Sequence, residues 1–321
     1  MKKLVNAGTI NRREFLGRTC AVSTGLVVGA ALVPKTHAAD AATYPIGIFT
    51  RPWAEYDHLT ALDAIAEAGF ANCGLMTSKT ANKLILHPNS TPEEAQKVGE
   101  ECRKRKLGIL CVWGGGIPVE KSLEEGEAAL KRLIDNCATA GAKCVMMGGV
   151  AKEAIYDRYY QAVANCCDYA QEKQVAICVK PHGGLNSTGE QCRKIIEKVH
   201  HKNFRLWFDP GNIFFYSEGK LNPVDDAARV DGIVSGVCIK DYLPSEDVTA
   251  KPGKVKAKPG NVMVTPGTGQ VDFKKVLARL KHGGFTSGSL VIETLNPGKL
   301  PEILAEAKKA KQFLEAVVKE L

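Results

Sequence analysis

Residues 175–209 read VAICVKPHGGLNSTGEQCRKIIEKVHHKNFRLWFD and contain the pattern that decides the fold. The apolar run 175–181 is followed by an amphipathic segment, 189–200, and then by a second apolar run, 204–209. Short apolar runs that alternate with helical segments are typical of parallel strands joined by crossover helices. This stretch therefore predicts one complete strand and helix unit, followed by the next strand.

The same alternation occurs eight times along the chain. The predicted strands are 45–50, 71–77, 107–113, 143–149, 175–181, 204–209, 236–241 and 289–294. The predicted helices are 57–68, 92–106, 123–140, 153–172, 189–200, 223–230, 272–280 and 299–321. Eight such units predict an α/β fold, a single (β/α)8 TIM barrel. An open doubly wound sheet is disfavoured, because Arg51-Pro52-Trp53 stands where such a sheet carries a glycine-rich dinucleotide-binding turn.

The composition is typical of a folded soluble protein. Of the 321 residues, 45% are hydrophobic and 24% are charged, which disfavours disorder and a multi-span membrane protein. The formal net charge is +8, but +5 of it lies in the first 38 residues. The remaining charge of about +3 forms no basic block among aromatic residues, so we predict no nucleic-acid partner.

The N-terminus has the pattern of a twin-arginine signal peptide. Arg12-Arg13 precedes the apolar run 21–33, and small residues follow, with cleavage preferred after Ala38 and Ala41 as the alternative. An apolar run of this length is too short for a membrane span, so we expect no stable membrane anchor.

The predicted organisation is therefore a signal peptide, 1–38, and a barrel domain, 39–321. The twin-arginine export machinery is the expected partner, and the expected location is the periplasm or the exterior. The chain has 11 cysteines and no CxxC pair. Five cysteines fall within predicted strands, where they are expected to pack as small buried hydrophobic residues: Cys73, Cys111, Cys144, Cys178 and Cys238.

Charged residues close several of the apolar runs, at the end of the barrel where active sites of this fold lie. Lys180, Asp209 and Glu293 are the candidate catalytic residues, because a buried charge is costly unless it is paired or functional. The candidate substrate-binding residues are Trp53, Trp113, His182, Asn212, Lys240 and Asp241. The competing interpretation is a structural network of ion pairs that caps the barrel.

Five motifs in this order resemble the signatures of the xylose isomerase-like barrel superfamily. They are Val179-Lys180-Pro181-His182-Gly183-Gly184, Phe208-Asp209-Pro210-Gly211-Asn212, Val237-Cys238-Ile239-Lys240-Asp241, Gly267-Thr268-Gly269-Gln270-Val271-Asp272-Phe273 and Val291-Ile292-Glu293. The superfamily includes sugar isomerases, sugar epimerases and a DNA-repair endonuclease. The resemblance covers nearly all of the predicted barrel domain and implies a small carbohydrate as the substrate.

The resemblance also implies a divalent metal ion held by Glu, Asp, His and Glu from strands five to eight. Asp209 and Glu293 match two of these positions, whereas Lys180 and Cys238 stand at the other two. A lysine would repel a hard cation, which prefers oxygen ligands. The cofactor therefore stays unassigned, with a metal site formed by Asp209, Glu293 and His182 as one alternative.

The function implied is that of an exported sugar isomerase or epimerase that removes a proton next to the carbonyl of a sugar or keto-sugar. Lys180 would supply the charge of the missing ion or act as a base, paired with Glu293. The alternatives are a keto-sugar lyase or hydratase and a non-catalytic sugar-binding barrel. The endonuclease is disfavoured because few histidines close strands. The long irregular stretch 244–270 is either a lid or a solvated loop.

Overall fold

A computed structural model describes residues 44–80, 83–244 and 260–321. Its strands are β1 (Ile46–Phe49), β2 (Asn72–Leu75), β3 (Gly108–Gly115), β4 (Cys144–Met147), β5 (Ala176–Val179), β6 (Phe204–Phe208), β7 (Val234–Ile239) and β8 (Ser289–Ile292). All neighbouring strands are parallel, and β1 pairs with β8 to close the barrel. The predicted (β/α)8 fold is confirmed. The predicted signal peptide lies outside the described residues.

Helices connect the strands on the outside of the barrel. They are α1 (His58–Glu67), α2 (Pro92–Lys104), α3 (Leu123–Ala140), α4 (Tyr156–Glu172), α5 (Gly189–Val199), α6 (Pro210–Tyr216), α7 (Pro223–Ala227), α8 (Phe273–His282) and α9 (Leu300–Lys319). Their ends follow the sequence: Thr91 and Thr188 form capping boxes at the starts of α2 and α5. Gly141 ends α3 with φ 87°, a left-handed conformation that glycine adopts without strain.

Helix α6 was not among the predicted elements. Pro210 and Gly211 follow β6 directly, and such a pair usually indicates a loop. Here proline occupies the first helical turn, where its missing N–H costs nothing. The Asp209 side chain caps the helix by accepting a hydrogen bond from the Asn212 backbone N–H at 3.0 Å. The same aspartate therefore closes a strand and starts a helix.

Two hydrophobic layers stabilise the barrel. The larger layer lies between the strands and the helices. A smaller one fills the barrel interior and consists of Phe49, Met76, Cys111, Cys144, Met146, Cys178, Trp207, Cys238 and Val291. The ten cysteines among the described residues are all buried and free of disulfides, as expected for thiols that pack as small hydrophobic groups.

The polypeptide after β7 returns to the rim of the barrel. Leu243 and Asn261 exchange two backbone hydrogen bonds of 2.8 and 2.7 Å, which brings the two sides of this connection together. Most of the stretch 244–270, interpreted above as either a lid or a solvated loop, falls within residues 245–259, which lie outside the described residues. Among the residues that the structure describes, no helix is long and apolar enough to cross a membrane.

Candidate active site

Four charged side chains lie at the C-terminal end of the barrel, each directly after a strand. Lys180 follows β5, Asp209 follows β6, Lys240 follows β7 and Glu293 follows β8. Each is at most 2% exposed. Because the C-terminal ends of parallel strands meet at one rim, residues that are distant in sequence come into direct contact here.

These four side chains form a closed ring of alternating charge. The Lys180 ammonium donates to Asp209 Oδ2 at 3.1 Å and also to Glu293 Oε2. The Lys240 ammonium lies 3.2 Å from Asp209 Oδ2 and 2.7 Å from Glu293 Oε1. Each carboxylate therefore contacts both ammonium groups. We call this set, Lys180, Asp209, Lys240 and Glu293, the charge ring.

Arg51 extends the charge ring from the other side of the barrel seam. Its Nη1 donates to Glu293 Oε1 at 2.5 Å, so Glu293 contacts three cations. Burial alone would raise the pKa of Glu293, but Lys180, Lys240 and Arg51 outweigh burial and hold that pKa well below its usual range. Glu293 is therefore a strongly ionised carboxylate and a weak base.

The two lysines of the charge ring differ in how firmly they hold their protons. Burial opposes the charge of Lys180, but Glu293 and the other nearby negative groups prevail and raise its pKa. For Lys240, burial prevails over the same carboxylates and the pKa is lowered. Lys180 is thus a fixed positive charge, whereas Lys240 loses its proton more readily.

Asn212 holds the charge ring in place. Its Oδ1 accepts a hydrogen bond from Lys240 Nζ at 3.1 Å, and its Nδ2 donates to the Pro181 carbonyl at 2.7 Å. Only 2% of Asn212 is exposed. Both ends of this side chain, which the sequence assigned to substrate binding, are occupied by protein groups in the structure.

An aromatic wall, formed by Trp113, His182 and Tyr216, lies beside Lys180. The Lys180 ammonium is 5.2 Å from the Trp113 ring centroid, a cation–π contact. The His182 ring lies 5.1 Å from Trp113 and 6.0 Å from Tyr216 between centroids. Tyr216, on α6, is 37% exposed, so the wall reaches from the buried charges to the surface.

His182 is a neutral imidazole in this environment. Burial lowers its pKa to about 3, and the positive charges of Lys180 and Lys240 act in the same direction. Its backbone N–H donates to the Asn186 carbonyl at 3.0 Å. The side chain thus presents an uncharged polar face to the site.

Two of the predicted substrate-binding residues, Asp241 and Trp53, belong to neither the charge ring nor the aromatic wall. The Asp241 carboxylate accepts hydrogen bonds from four backbone N–H groups, those of Tyr242, Gly267, Gly269 and Val271, at 2.8–3.0 Å. Asp241 thereby fixes residues 260–271, the returning segment that follows β7, to the rim of the barrel. Trp53 is fully buried in the layer between strands and helices, and its indole N–H has no hydrogen-bond partner in the part of the chain that the structure describes.

The charge ring does not fit a divalent metal ion. Among the described residues, the candidate ligand atoms that converge within 4.8 Å belong to Asp209, Cys238 and Glu293, a set that does not include His182. A cation held there would meet the ammonium groups that already contact both carboxylates. Burial also raises the pKa of Cys238 well above its usual range, which keeps the thiol protonated and a poor ligand.

Arg51 and Tyr216 were not among the predicted site residues. Arg51 lies two residues after the end of β1, but its contact with Glu293 joins residues 242 positions apart and becomes visible only when the barrel closes. Tyr216 belongs to the helix that sequence patterns did not indicate. A signal for Arg51 was present, since a charge so close to a strand end is expected to lie at the rim.

Solved structures with the same fold are similar to this chain along most of its length. A xylose isomerase domain protein from Planctomyces limnophilus is 20% identical, with a TM-score of 0.67, 87% of this chain covered and 98% of that chain. An L-ribulose 3-epimerase is 16% identical, with a TM-score of 0.64 and coverage of 87% and 95%. A probable 3-DHS dehydratase from Bacillus anthracis is 13% identical, with a TM-score of 0.60 and coverage of 84% and 98%.

At these identities the structural likeness concerns the fold. No curated protein matches the chain in sequence. A sequence model of the family described as "Xylose isomerase-like TIM barrel" matches residues 62–317, which is most of the chain. The chain belongs to the xylose isomerase-like TIM barrel family.

Proposed function

We propose that this protein is a sugar isomerase or epimerase-like enzyme that removes a proton next to the carbonyl of a sugar or keto-sugar. The observation that carries the proposal is the Lys180 ammonium, which lies between Asp209 and Glu293 where the resemblance implies a metal ion. A buried, fixed positive charge can stabilise the oxygen of an enediolate, because the low local dielectric strengthens its field.

The reaction needs a base as well as a stabilising charge. The base takes the proton from carbon, the electron pair moves into the enediolate, and the proton returns to the neighbouring carbon or to the other face. Glu293 is a weak base, since three cations hold its pKa low. We therefore assign proton acceptance to Lys240 in its amine form, whose pKa burial lowers, while Lys180 keeps its charge.

Exchange of substrate hydrogen with deuterated solvent tests this function. Keto-sugars and aldoses are incubated with the protein, and deuterium at the carbon next to the carbonyl is measured by NMR. Lys180→Met and Lys240→Met are each expected to slow exchange by about 30- to 1,000-fold, the loss typical of removing one preorganised group. Lys143→Met, at the exposed N-terminal end of the barrel, is the matched control and should exchange at the wild-type rate.

Two further measurements test whether Lys240 or Glu293 is the base and whether an ammonium group supplies the stabilising charge. With Lys240 as the base, the exchange rate should rise with pH as its proton is lost, whereas Glu293 as the base would give a flat profile near neutral pH. Treatment with a chelator should leave exchange unchanged, because the stabilising charge is covalently attached. Sugar binding without any exchange would instead indicate a non-catalytic barrel.

A keto-sugar lyase or hydratase is the second candidate. All four members of the charge ring come from β5 to β8, so the acid and base groups lie on one side of the rim. Chemistry on one face of the substrate, such as loss of the proton followed by loss of a β-hydroxyl as water, suits that arrangement. Deuterium exchange accompanied by an unsaturated product would support this candidate over the epimerase.

We also propose export to the periplasm or the exterior by the twin-arginine machinery. The support is the sequence pattern around Arg12 and Arg13. The double substitution Arg12→Lys with Arg13→Lys should retain the protein in the cytoplasm, as measured by fractionation. Unchanged export of this variant would contradict the proposal.

A further inference from the structure

Arg51 adds a positive charge that the neighbouring carboxylates do not balance. The charge ring alone is neutral, because it has two ammonium and two carboxylate groups in mutual contact. Arg51 contacts Glu293, which Lys180 and Lys240 already pair. The arginine is thus not required to neutralise Glu293. In the resting state, before Lys240 has lost a proton to act as a base, the five side chains together carry one excess positive charge.

The other titratable groups at this rim do not supply the missing negative charge. The oxygens of Asp241 are occupied by backbone N–H groups, and among the described residues this carboxylate forms no ion pair. His182 is neutral, and Tyr216 keeps its proton because burial raises its pKa. An excess charge in a largely buried site is costly unless a partner compensates it.

Arg51 has the capacity to bind a further group. Its side chain is 32% exposed, whereas every member of the charge ring is almost completely buried. Among the described residues, Nη1 alone has a hydrogen-bond partner, Glu293. Within the described residues, Nε and Nη2 have no hydrogen-bond partner. A guanidinium presents several N–H donors in a planar fork, a geometry that matches carboxylate and phosphate oxygens.

We propose that the substrate carries an anionic group, a carboxylate or a phosphate, which pairs with the free edge of Arg51 at the mouth of the site. This inference rests on the proposed function, because it names the chemical class of that enzyme's substrate. The anion compensates the excess charge and places the rest of the molecule beside the aromatic wall and Lys180. A neutral sugar would leave the guanidinium charge uncompensated.

Binding of matched ligand pairs tests the inference, using the full chain and isothermal calorimetry. Gluconate is compared with sorbitol for the carboxylate, and glucose 6-phosphate with glucose for the phosphate. We expect the anionic member of at least one pair to bind at least tenfold more tightly, and the pair that shows this preference identifies the anion. Arg51→Gln should reduce the preference at least tenfold, and Arg51→Lys, which keeps the charge without the fork, at least threefold.

The matched control is Arg132→Gln on the exposed face of α3, where Arg132 Nε donates to the Pro88 carbonyl at 3.1 Å. It removes the same charge from the protein and should leave the preference unchanged. Equal affinities within both pairs, absence of binding by all four compounds, or a preference that survives Arg51→Gln would overturn the inference. Arg51→Gln leaves the charge ring balanced and should fold; should it not, the Arg51→Lys result decides.

The outcome is separable from that of the proposed function. Deuterium exchange on neutral keto-sugars at the same rate in wild type and Arg51→Gln would overturn the anionic substrate and leave the proposed chemistry intact. An Arg51-dependent preference for anions, with no exchange on any sugar, would retain the anion site and overturn the chemistry.

Discussion

The two halves of the barrel rim differ sharply in the residues that close their strands. After β5 to β8 stand Lys180, Asp209, Lys240 and Glu293, whereas Thr50, Met76, Gly116 and Gly148 follow β1 to β4. The apolar half contributes Trp113, whose ring lies against Lys180. Because the charge ring is confined to one side, the site has a charged wall and an aromatic wall, and among the described residues Arg51 is the one charged contact to the ring from the β1 side.

The layer below the rim is apolar and strengthens electrostatic interactions within the charge ring. The interior of the barrel beneath the charge ring is filled by sulfur and apolar groups, and the Cys238 thiol contacts the Met146 sulfur at 3.7 Å. No ion pair among the described residues extends into that layer. The charged half is therefore held between an apolar floor and an aromatic wall, where electrostatic interactions are stronger than in water.

The largest expected loss of stability follows from removing the negative charge of Asp209 from the charge ring. Asp209→Asn removes the carboxylate that both lysines share and leaves three cations with Glu293 alone. Removing one partner of a buried ion pair typically costs about 3–5 kcal/mol. Urea unfolding should show a loss of this size in the free energy of unfolding.

Asp231→Asn is the matched control for Asp209→Asn. Asp231 pairs with Arg279 at 2.8 Å in a half-exposed ion pair near the other end of the barrel. An ion pair of this kind contributes less than about 1 kcal/mol. Equal losses in the two variants would show that the charge ring has no special role in stability.

The second largest loss of stability is expected for Asp241→Asn. The Asp241 carboxylate follows β7, like Lys240, but it is stabilised by backbone amides and not by ammonium groups. Asp241→Asn replaces one oxygen, and each oxygen accepts two backbone N–H groups. Hydrogen bonds to a charged acceptor are worth about 1.5–3 kcal/mol, so a loss of about 2–3 kcal/mol is expected.

The change in Asp241→Asn should be local. Hydrogen exchange of the backbone amides of Gly267, Gly269 and Val271 should accelerate, while that of the β5 amides should remain slow. Uniform acceleration throughout the barrel would mean that Asp241 supports the whole fold rather than the returning segment.

Sequence reasoning located the barrel because apolar periodicity repeats with every strand and helix unit. It also located the charged half, since Lys180, Asp209 and Glu293 interrupt apolar runs where a buried charge needs an explanation. It could not distinguish Lys240 from Asp241. Both follow β7, and which of two successive side chains joins the charge ring depends on the exact residue at which the strand ends.

The remaining differences have equally local causes. The contact between Arg51 and Glu293 crosses the seam between β1 and β8, which links the two ends of the barrel domain. No local pattern reports such a pair. Helix α6 depends on a cap from Asp209, so its existence is coupled to the site itself. Of the three residues of the aromatic wall, Trp113 and His182 were therefore among the predicted site residues and Tyr216 was not.

The third largest effect is a pH dependence of the free energy of unfolding. It originates at His182, in the aromatic wall beside the charge ring. Lys180, Lys240 and Arg51 oppose protonation of His182, and burial lowers its pKa to about 3 in the folded protein. In the unfolded chain the ordinary pKa of about 6.5 applies. As pH falls below 6.5 the unfolded chain takes up a proton that the folded protein does not, so stability decreases toward acid.

Between pH 7.5 and pH 5 this difference amounts to about 2 kcal/mol, by proton linkage. His182→Gln should therefore flatten the decline in the free energy of unfolding over that range by a similar amount. A slope in His182→Gln that equals the wild-type slope would contradict a neutral, buried His182.

The smallest expected effect tests the contribution of the apolar half through Trp113. Trp113→Leu retains an apolar side chain but removes the ring face that lies 5.2 Å from the Lys180 ammonium and 5.1 Å from His182. A cation–π contact in a partly desolvated site is worth about 1 kcal/mol, so the free energy of unfolding should fall by about that amount. Trp113→Phe keeps a ring and should lose less.

If the wall also supports the substrate, Trp113→Leu should weaken ligand binding by roughly fivefold at similar turnover, since about 1 kcal/mol of binding is removed equally from ground and transition states. A drop in turnover with unchanged binding would instead mean that Trp113 tunes the Lys180 charge, which would place the aromatic half within the catalytic apparatus.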